Sequence, residues 1–356
     1  MTEVIVSARD GLGRITLNRP EALHALNTAM CATMIDALVE WRDRPGVQVV
    51  LIEHQPGMRG FCAGGDIRMI AESGAGDGRA AREFFHTEYR LNHLLFDYPK
   101  PVVALIDGIT MGGGVGISMP AKYRVATERT VFAMPETGIG LFPDVGGGWY
   151  LPRLPSEIGL WLALTGARLK AADCLEAGIA THYVDSAHLH AIVAQAEAAA
   201  AAEHPDKLLH DGLQEICEGH GDPVVLTPEN HKTIDKNFRC ASVEAVFADL
   251  QDDGSPWALE QLAILKTKSP QTLKVAFRQL REGRQMKSLA DEMRQEYRIA
   301  CRVVGRHDFQ EGVRAVVIDK DNAPKWKPDT LDGVTDAMLD EIFAPLPPGE
   351  EWTPLP

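Results

Sequence analysis

Two acidic residues, Glu136 and Asp144, lie in a stretch that is otherwise apolar or rich in glycine and proline (M-P-E-T-G-I-G-L-F-P-D-V-G-G-G-W, residues 134–149). A carboxyl group in apolar surroundings has a raised pKa, which suits it to acid–base or nucleophilic work near neutral pH. The non-catalytic alternatives are that Glu136 is an exposed surface residue and that Asp144 caps the N-terminus of a helix. Because residues 130–143 are largely uncharged, we interpret Glu136 as the leading catalytic candidate.

Two glycine-rich turns precede these carboxylates: F-C-A-G-G-D at residues 61–66 and M-G-G-G-V-G at residues 111–116. Glycine lets the backbone approach a ligand closely and leaves its N–H groups uncovered. Two such N–H groups aimed at one point could hold a carbonyl oxygen that becomes an oxyanion. The second turn has the wrong spacing for a dinucleotide fingerprint, so that site is disfavoured. Without the first turn beside it, the second turn would indicate only close packing of a helix against a sheet.

The remaining candidates are weaker. Glu88 lies on a helical pattern, where spacing alone favours an exposed position. His182, His188 and His190 have no companion acidic residue at a known metal-ligand spacing, so no metal is predicted. The chain also has no G-x-S-x-G motif, which disfavours a serine hydrolase of the usual α/β type.

The elements that must position the turns follow an α/β pattern. Both turns come after short apolar runs, 47–52 and 101–106, that predict buried strands, and helical patterns separate them. Mainly helical patterns dominate from residue 156 onward. We place a soft boundary near Glu203, which predicts a core at residues 1–203 and a mainly helical region at residues 204–356.

Composition limits the partners. A net charge of −14 argues against nucleic acid or an anionic membrane, and an anionic ligand would need a local basic pocket. The six cysteines are scattered, as expected of free thiols in a reducing compartment. With no membrane-length apolar run and no signal peptide, we predict a cytoplasmic protein.

At these motifs the chain resembles the crotonase (enoyl-CoA hydratase/isomerase) superfamily over its first two hundred residues. Within it, the chain looks like the 3-hydroxyisobutyryl-CoA hydrolase branch. That second resemblance reaches nearly to the C-terminus, through residues 269–275, 296–302, 308–315 and 324–328. It implies a spiral of ββα units followed by a helical C-terminal region.

The resemblance also implies roles for particular residues. Two backbone N–H groups hold the thioester oxygen of an acyl-CoA: Ala63 by first choice or Gly65 in the first turn, and Gly113 in the second. The substrate-binding set implied is Gly64, Asp66, Glu88 and Gly113. Relatives often carry a basic residue where this chain has Glu21. Any positively charged side chain that binds CoA must therefore be Arg19 or lie elsewhere in the chain.

One departure from the superfamily decides the reaction. Hydratases use two glutamates; the second matches Glu136, but Gly116 occupies the position of the first. Asp144 stands where hydratases carry a small residue, and the pair Glu136–Asp144 is the pattern of the hydrolase branch.

The resemblance therefore implies hydrolysis of a short 3-hydroxyacyl-CoA, in valine catabolism, with coenzyme A entering only as part of the substrate. The alternatives are an enoyl-CoA hydratase or isomerase using Glu136 alone, and a non-catalytic acyl-CoA-binding protein. A homo-oligomer is a further expectation, because crotonases often form trimers or hexamers.

Overall fold

A computed structural model describes residues 2–217, 219 and 221–355. Its strands, in chain order, are β1 (Val4–Arg9), β2 (Gly11–Leu17), β3 (Val47–His54), β4 (Gly60–Cys62), β5 (Val102–Ile106), β6 (Ile109–Met111), β7 (Tyr123–Ala126), β8 (Val131–Ala133) and β9 (His182–Tyr183). They form two sheets. The main sheet has the order β1-β2-β3-β5-β7-β9, and the smaller sheet has the order β4-β6-β8.

The first two strands form a hairpin around Asp10 and Gly11, and they pair antiparallel. Every other pairing in both sheets is parallel. Strands β3 and β5 correspond to the predicted apolar runs, whereas the short strands β4 and β6 were not predicted.

The helices are α1 (Thr28–Arg42), α2 (Ile67–Gly74), α3 (Arg79–Phe96), α4 (Gly113–Ser118), α5 (Gly147–Tyr150), α6 (Ile158–Thr165), α7 (Ala171–Glu176), α8 (Leu189–Ala200), α9 (Pro205–Ile216), α10 (Pro228–Phe238), α11 (Val243–Asp253), α12 (Pro256–Leu265), α13 (Pro270–Gly283), α14 (Leu289–Val303), α15 (His307–Val313) and α16 (Asp336–Phe343). A π-helix, Arg314–Ile318, continues α15, and a 3-10 helix, Glu136–Ile139, follows β8. Capping signals explain several starts: Ser255 and Ser269 accept backbone hydrogen bonds at the N-caps of α12 and α13, each with proline at the first helical position.

The chain winds as a spiral, and each turn contributes one strand to each sheet. The pairs β3 and β4, β5 and β6, and β7 and β8 are consecutive along the chain, yet their first members are neighbours in the main sheet and their second members in the smaller sheet. Helices follow each pair. The predicted spiral of ββα units is therefore confirmed.

This winding brings the motifs together. The first glycine turn follows β4, the second follows β6, and Glu136 follows β8. Because β4, β6 and β8 are parallel neighbours, their carboxyl ends meet at one edge of the smaller sheet. Segments far apart in sequence therefore converge without any long loop.

The main sheet is covered on both faces. On one face, Leu51, Val103 and Val125 pack with residues of α8 and α9 in a small core. On the other face, Val50, Ile52 and Ala104 belong to the large core that also contains the smaller sheet and α1 and α3. Strands buried on both faces explain why β3 and β5 read as continuous apolar runs.

The C-terminal region is helical, as predicted, and packs onto the core rather than standing apart. Helix α14 contacts α3, and α13 contacts α5 and α6. Helices α9, α10 and α16 were not predicted. The boundary near residue 203 stays a prediction, and α8 and α9, which flank it, pack against each other.

Candidate active site

The first glycine turn exposes the amide of Gly65. Leu26 pairs with Gly65 in a parallel bridge: the Leu26 N–H donates to the Gly64 carbonyl at 2.8 Å, and the Asp66 N–H donates to the Leu26 carbonyl at 2.8 Å. Gly65 lies between these two bonded residues, and in a parallel bridge such a residue directs its own N–H away from the partner strand. Within the described residues the Gly65 N–H has no acceptor.

Ala63, the first choice from sequence, is wrong as a free donor. Its N–H donates to the Leu23 carbonyl at 3.0 Å, so it is already used. The cause is the loop around the 3-10 helix Pro20–Ala22, where Leu23 adopts a left-handed conformation with φ of 49°. Gly65, the second choice, is the donor that this turn leaves available.

The second glycine turn places the amide of Gly113 beside the first. Gly113 opens α4, so its N–H has no partner within the helix, and no other described residue accepts it. A β-carbon on Gly113 would lie 3.2 Å from the Gly64 carbonyl oxygen and 2.5 Å from Oε1 of Glu88. The two turns are therefore in contact, and only glycine fits at this junction.

Three carboxyl groups line the cavity at these turns. Glu88 of α3, Glu136 of the 3-10 helix and Asp144 of the following loop are all buried, and they share a cavity of about 70 Å³ with the turn residues. Oε1 of Glu88 and Oε2 of Glu136 have no hydrogen-bond partner in the part of the chain that the structure describes. The structure thus buries Glu88, which spacing alone favoured as exposed, and brings together Gly64, Gly65, Gly113 and the three acids.

Burial sets the protonation of the three acids. It raises the pKa of Glu136 and of Glu88 well above the usual range, and the nearby Asp144 raises both further. Burial also raises the pKa of Asp144, to about 6, against the opposing effect of a hydrogen bond from Tyr89. Asp144 is therefore the first of the three to ionise and the one that is negative at neutral pH.

The position of the missing glutamate has no room for a side chain. A β-carbon on Gly116 would lie 2.6 Å from Cβ of Val145 and 2.7 Å from Nδ2 of Asn92. Asn92 is fully buried on α3, one turn after Glu88. The two-glutamate arrangement of a hydratase therefore cannot be restored at Gly116 without moving α3 or the Asp144 loop.

Asp66 does not join the cavity, contrary to the prediction. Its carboxylate caps α2 through the Met69 N–H at 3.2 Å and forms an ion pair with Arg19 at 2.8 Å. Arg19 also pairs with Glu3 at 3.1 Å. Because its charge is already neutralised, Arg19 is a poor candidate for a cationic grip on CoA.

A larger cavity, about 460 Å³, lies between the main sheet and α8 and contains none of the predicted residues. Its buried carboxylates, Glu53 and Asp107, are paired with Arg14 and Arg129. Both carboxylates are occupied by ion pairs with arginine, so they are poorly placed to exchange protons with a substrate. The unpaired acids of the smaller cavity are therefore the better catalytic candidates.

Several residues at the site had no signal in the sequence. Tyr89 and Asn92 lie on α3 among core positions, and Gln279 and Glu296 come from helices more than 130 residues after the motif that they contact. Only the resemblance at residues 296–302 pointed to that part of the chain.

Two mainly parallel sheets wound as a spiral, with two glycine amides that no described residue accepts beside buried carboxyl groups, define the crotonase class of acyl-CoA enzymes. A family model described as enoyl-CoA hydratase/isomerase matches residues 12–343. The chain belongs to this family.

Relatives and solved structures agree on the fold and differ in their names. The chain is 46% identical over 346 residues to the 3-hydroxyisobutyryl-CoA hydrolase, mitochondrial, of Xenopus tropicalis, covering 97% of this chain and 89% of that protein. A carnitinyl-CoA dehydratase from Mycobacterium thermoresistibile superimposes with a TM-score of 0.91 at 38% identity, covering 99% of this chain and 98% of that one. An enoyl-CoA hydratase from Rhodobacter sphaeroides 2.4.1 gives 0.88 at 36% identity, covering 99% and 100%.

Proposed function

We propose that this protein hydrolyses a short 3-hydroxyacyl-CoA thioester, foremost 3-hydroxyisobutyryl-CoA, to the free hydroxy acid and CoA. One observation carries the proposal: Glu136 and Asp144 are buried in one cavity with the free amides of Gly65 and Gly113, whereas Gly116 leaves no room for the glutamate of a hydratase. The name and near-complete coverage of the Xenopus tropicalis relative support the same activity.

The two amides would act on the thioester carbonyl. Gly65 and Gly113 donate to its oxygen, and they stabilise the negative charge that develops there when the carbonyl carbon is attacked. A preorganised donor of this kind is worth about 2.7–4 kcal/mol in the transition state. Because both donors are backbone groups on abutting turns, they need no rearrangement during the reaction.

Glu136 would supply the attacking group. Either its carboxylate attacks the carbonyl carbon, the C–S bond breaks and water hydrolyses the resulting mixed anhydride, or the carboxylate takes a proton from a water molecule that attacks directly. Both routes require ionised Glu136. Asp144 is the acceptor for the Glu136 proton; because Asp144 has the lower pKa, this transfer is uphill and leaves Glu136 as a strongly basic carboxylate. Asp144 then returns the proton to the leaving CoA thiolate.

Glu88 would bind the hydroxyl end of the acyl group. Its carboxyl group is protonated at neutral pH because its pKa is raised by burial, so it can both donate to and accept from a substrate hydroxyl. A cavity of about 70 Å³ leaves space for a short acyl chain only.

The competing proposal is hydration or dehydration, which the names of the two similar structures suggest for those proteins. It would require Glu136 to act without a second glutamate at Gly116. Of the other two acids in the cavity, Asp144 is held by Tyr89 and Glu88 lies on α3, so neither replaces a glutamate at the Gly116 position.

We propose acyl-CoA as the ligand, no cofactor besides the CoA of the substrate, and a role in valine catabolism. None of the helices in the described ranges combines the length and apolar character that crossing a membrane requires. All six cysteines are free thiols, which suits a reducing compartment. We propose the cytoplasm, although the relative's name places that protein in mitochondria. A homo-oligomer likewise stays a proposal.

The decisive experiment follows thiol release from 3-hydroxyisobutyryl-CoA with a chromogenic thiol reagent, with crotonyl-CoA hydration measured in parallel. Rapid thiol release without hydration is expected. Hydration without thiol release would overturn the proposal and favour the hydratase.

A further inference from the structure

The segment that carries Asp144 is held by a carboxylate from the C-terminal region. Glu296 of α14 accepts the Gly146 N–H at 2.9 Å through one carboxylate oxygen and the Gly148 N–H at 3.2 Å through the other. Glu296 is fully buried. A buried carboxylate is costly unless it is hydrogen-bonded, so this residue has a specific task in the fold.

Gln279 of α13 holds the same segment from its other end. Its side-chain amide donates to the Pro143 carbonyl at 2.8 Å and to Oε1 of Glu296 at 3.1 Å. One connected pair from two C-terminal helices therefore binds the backbone on both sides of Asp144.

The backbone between these contacts is strained. Val145, next to Asp144, has φ of 54°, a left-handed conformation that is a genuine outlier for a β-branched residue. Such a conformation costs about 1–3 kcal/mol and persists only where the surroundings fix it. The hydrogen bonds at Pro143, Gly146 and Gly148 are the contacts that can fix it.

The glycines on this segment permit the close approach. A β-carbon on Gly148 would lie 1.8 Å from Oε1 of Glu292, and Gly146 has φ of 88°. The run of three glycines after Val145 thus lets α14 lie directly on the backbone.

We propose that Glu296, together with Gln279, is a positioning residue for Asp144, so that the C-terminal helices complete the active site. This inference rests on the proposed hydrolase function. Glu296 acts through the backbone and does not touch the substrate. Removing its acceptor oxygens frees Val145 to relax and moves the Asp144 carboxylate away from the reacting groups.

The test compares two isosteric variants one helical turn apart. In Glu296→Gln, the new amide group faces the Gly146 N–H with a donor instead of an acceptor. A displacement of about 1 Å at a catalytic group costs roughly 10²-fold in rate, so kcat for thiol release should fall to that extent. KM should stay within about twofold, because substrate binding at the two turns is unaffected.

Glu292→Gln is the matched control. Glu292 is equally buried, contacts Gln279 only weakly at 3.4 Å and makes no hydrogen bond to residues 143–148. Its Oε1 acceptor survives the change, so kcat and KM should remain those of the wild type. Thermal midpoints of both variants, measured in the same buffer, show that folded protein is being compared.

Gln279→Met provides a second route if Glu296→Gln does not fold. It keeps the side-chain length but loses the bond to the Pro143 carbonyl, so kcat should fall while KM is retained. Equal activity of all three variants and the wild type would overturn the positioning role. A parallel loss of stability in Glu292→Gln and Glu296→Gln, with unchanged kcat for the folded protein, would assign only a packing role.

The wild type in the same assay distinguishes a failure of the proposed hydrolase function from a failure of the positioning role of Glu296. If it releases no thiol from 3-hydroxyisobutyryl-CoA, the proposed function fails. If it does, and Glu136→Gln is inactive while Glu296→Gln is not impaired, only the positioning role fails.

Discussion

The hydroxyl of Tyr89 donates a hydrogen bond of 2.9 Å to Oδ2 of Asp144, and both residues are buried. This bond joins α3 to the loop after the 3-10 helix. It favours the ionised form of Asp144 and so opposes the burial that raises the pKa of this residue to about 6. Tyr89 therefore adjusts the acid that, in our proposal, accepts the proton of Glu136.

Tyr89→Phe should shift the acid limb of the pH profile for kcat/KM to higher pH. Without the hydroxyl, the larger of the two hydrogen-bond effects that oppose burial is lost, so the pKa of Asp144 rises further. A hydrogen bond to a charged group is worth about 1.5–3 kcal/mol, so the midpoint should move up by about one pH unit or more. The measurement is thiol release across pH.

Tyr98→Phe controls for the loss of a tyrosine hydroxyl. Tyr98 donates to the Leu38 carbonyl at 2.8 Å, away from the cavity. That variant should lose some stability but keep the wild-type profile. An unshifted midpoint in Tyr89→Phe would show that the acid limb reports a group other than Asp144.

Glu136→Gln should lower kcat while leaving KM nearly unchanged. Glutamine has the size of the protonated acid, so the fold and the cavity are retained, but it can neither attack nor accept a proton. Loss of a positioned acid–base group typically costs about 10²–10⁴-fold. The measurement is the steady-state rate of thiol release, with acyl-CoA binding checked by calorimetry.

Glu83→Gln is the control, because Glu83 lies on the exposed side of α3. It should behave as the wild type. Turnover of Glu136→Gln at the wild-type rate would remove Glu136 from the mechanism, whatever the fate of the other acids.

Much of the fold was predictable because its signals are local. Apolar runs such as 47–52 and the glycine turns after them are short-range patterns, and they sufficed for the α/β class. The choice between Ala63 and Gly65 was not local. It depends on which amides pair with Leu23 and Leu26, some forty residues earlier, and no pattern in the turn itself records that pairing.

The contacts that the C-terminal region makes with the Asp144 segment could not be predicted from the sequence either. Glu296 and Gln279 read as ordinary polar positions of amphipathic helices, yet they are buried against the Asp144 segment. The proline-rich tail after residue 344 is irregular, but Trp352 within it is fully buried and donates to the His86 carbonyl at 3.2 Å. Long-range packing of this kind leaves no periodic signal.

Gly116→Ala should destabilise the protein, and Gly116→Glu should not create a hydratase. The new β-carbon would lie 2.6 Å from Cβ of Val145 and 2.7 Å from Nδ2 of Asn92. Overpacking of this kind costs about 1–3 kcal/mol, and a buried carboxylate adds to it. The measurements are denaturant unfolding for the alanine variant and crotonyl-CoA hydration for the glutamate variant.

Gly46→Ala is the matched control for this pair, since a β-carbon at Gly46 meets nothing within 4 Å. It should be as stable as the wild type. If Gly116→Ala were equally stable, the site could accept a side chain, and the absence of a glutamate there would no longer argue against hydration.

Glu292→Gln should become more stable, relative to the wild type, as the pH rises from about 4.5 to about 8. Burial raises the pKa of Glu292 to about 8 from an ordinary value of 4.5. Between these values the folded wild type holds a proton that the unfolded chain has lost, so its free energy of unfolding decreases with rising pH. Glutamine has no proton to lose. The charge of Glu292 also raises the pKa of Glu296, so its removal relieves both acids.

The measurement for this prediction is denaturant unfolding of both proteins at several pH values. Glu260→Gln, a change at an exposed position of α12, serves as the control. A stability difference between Glu292→Gln and the wild type that is flat across this range would mean that Glu292 is ionised in the folded protein at acidic pH. In that case the negative charge of Glu292 would lie close to Glu296 across this pH range and would disfavour ionisation of Glu296.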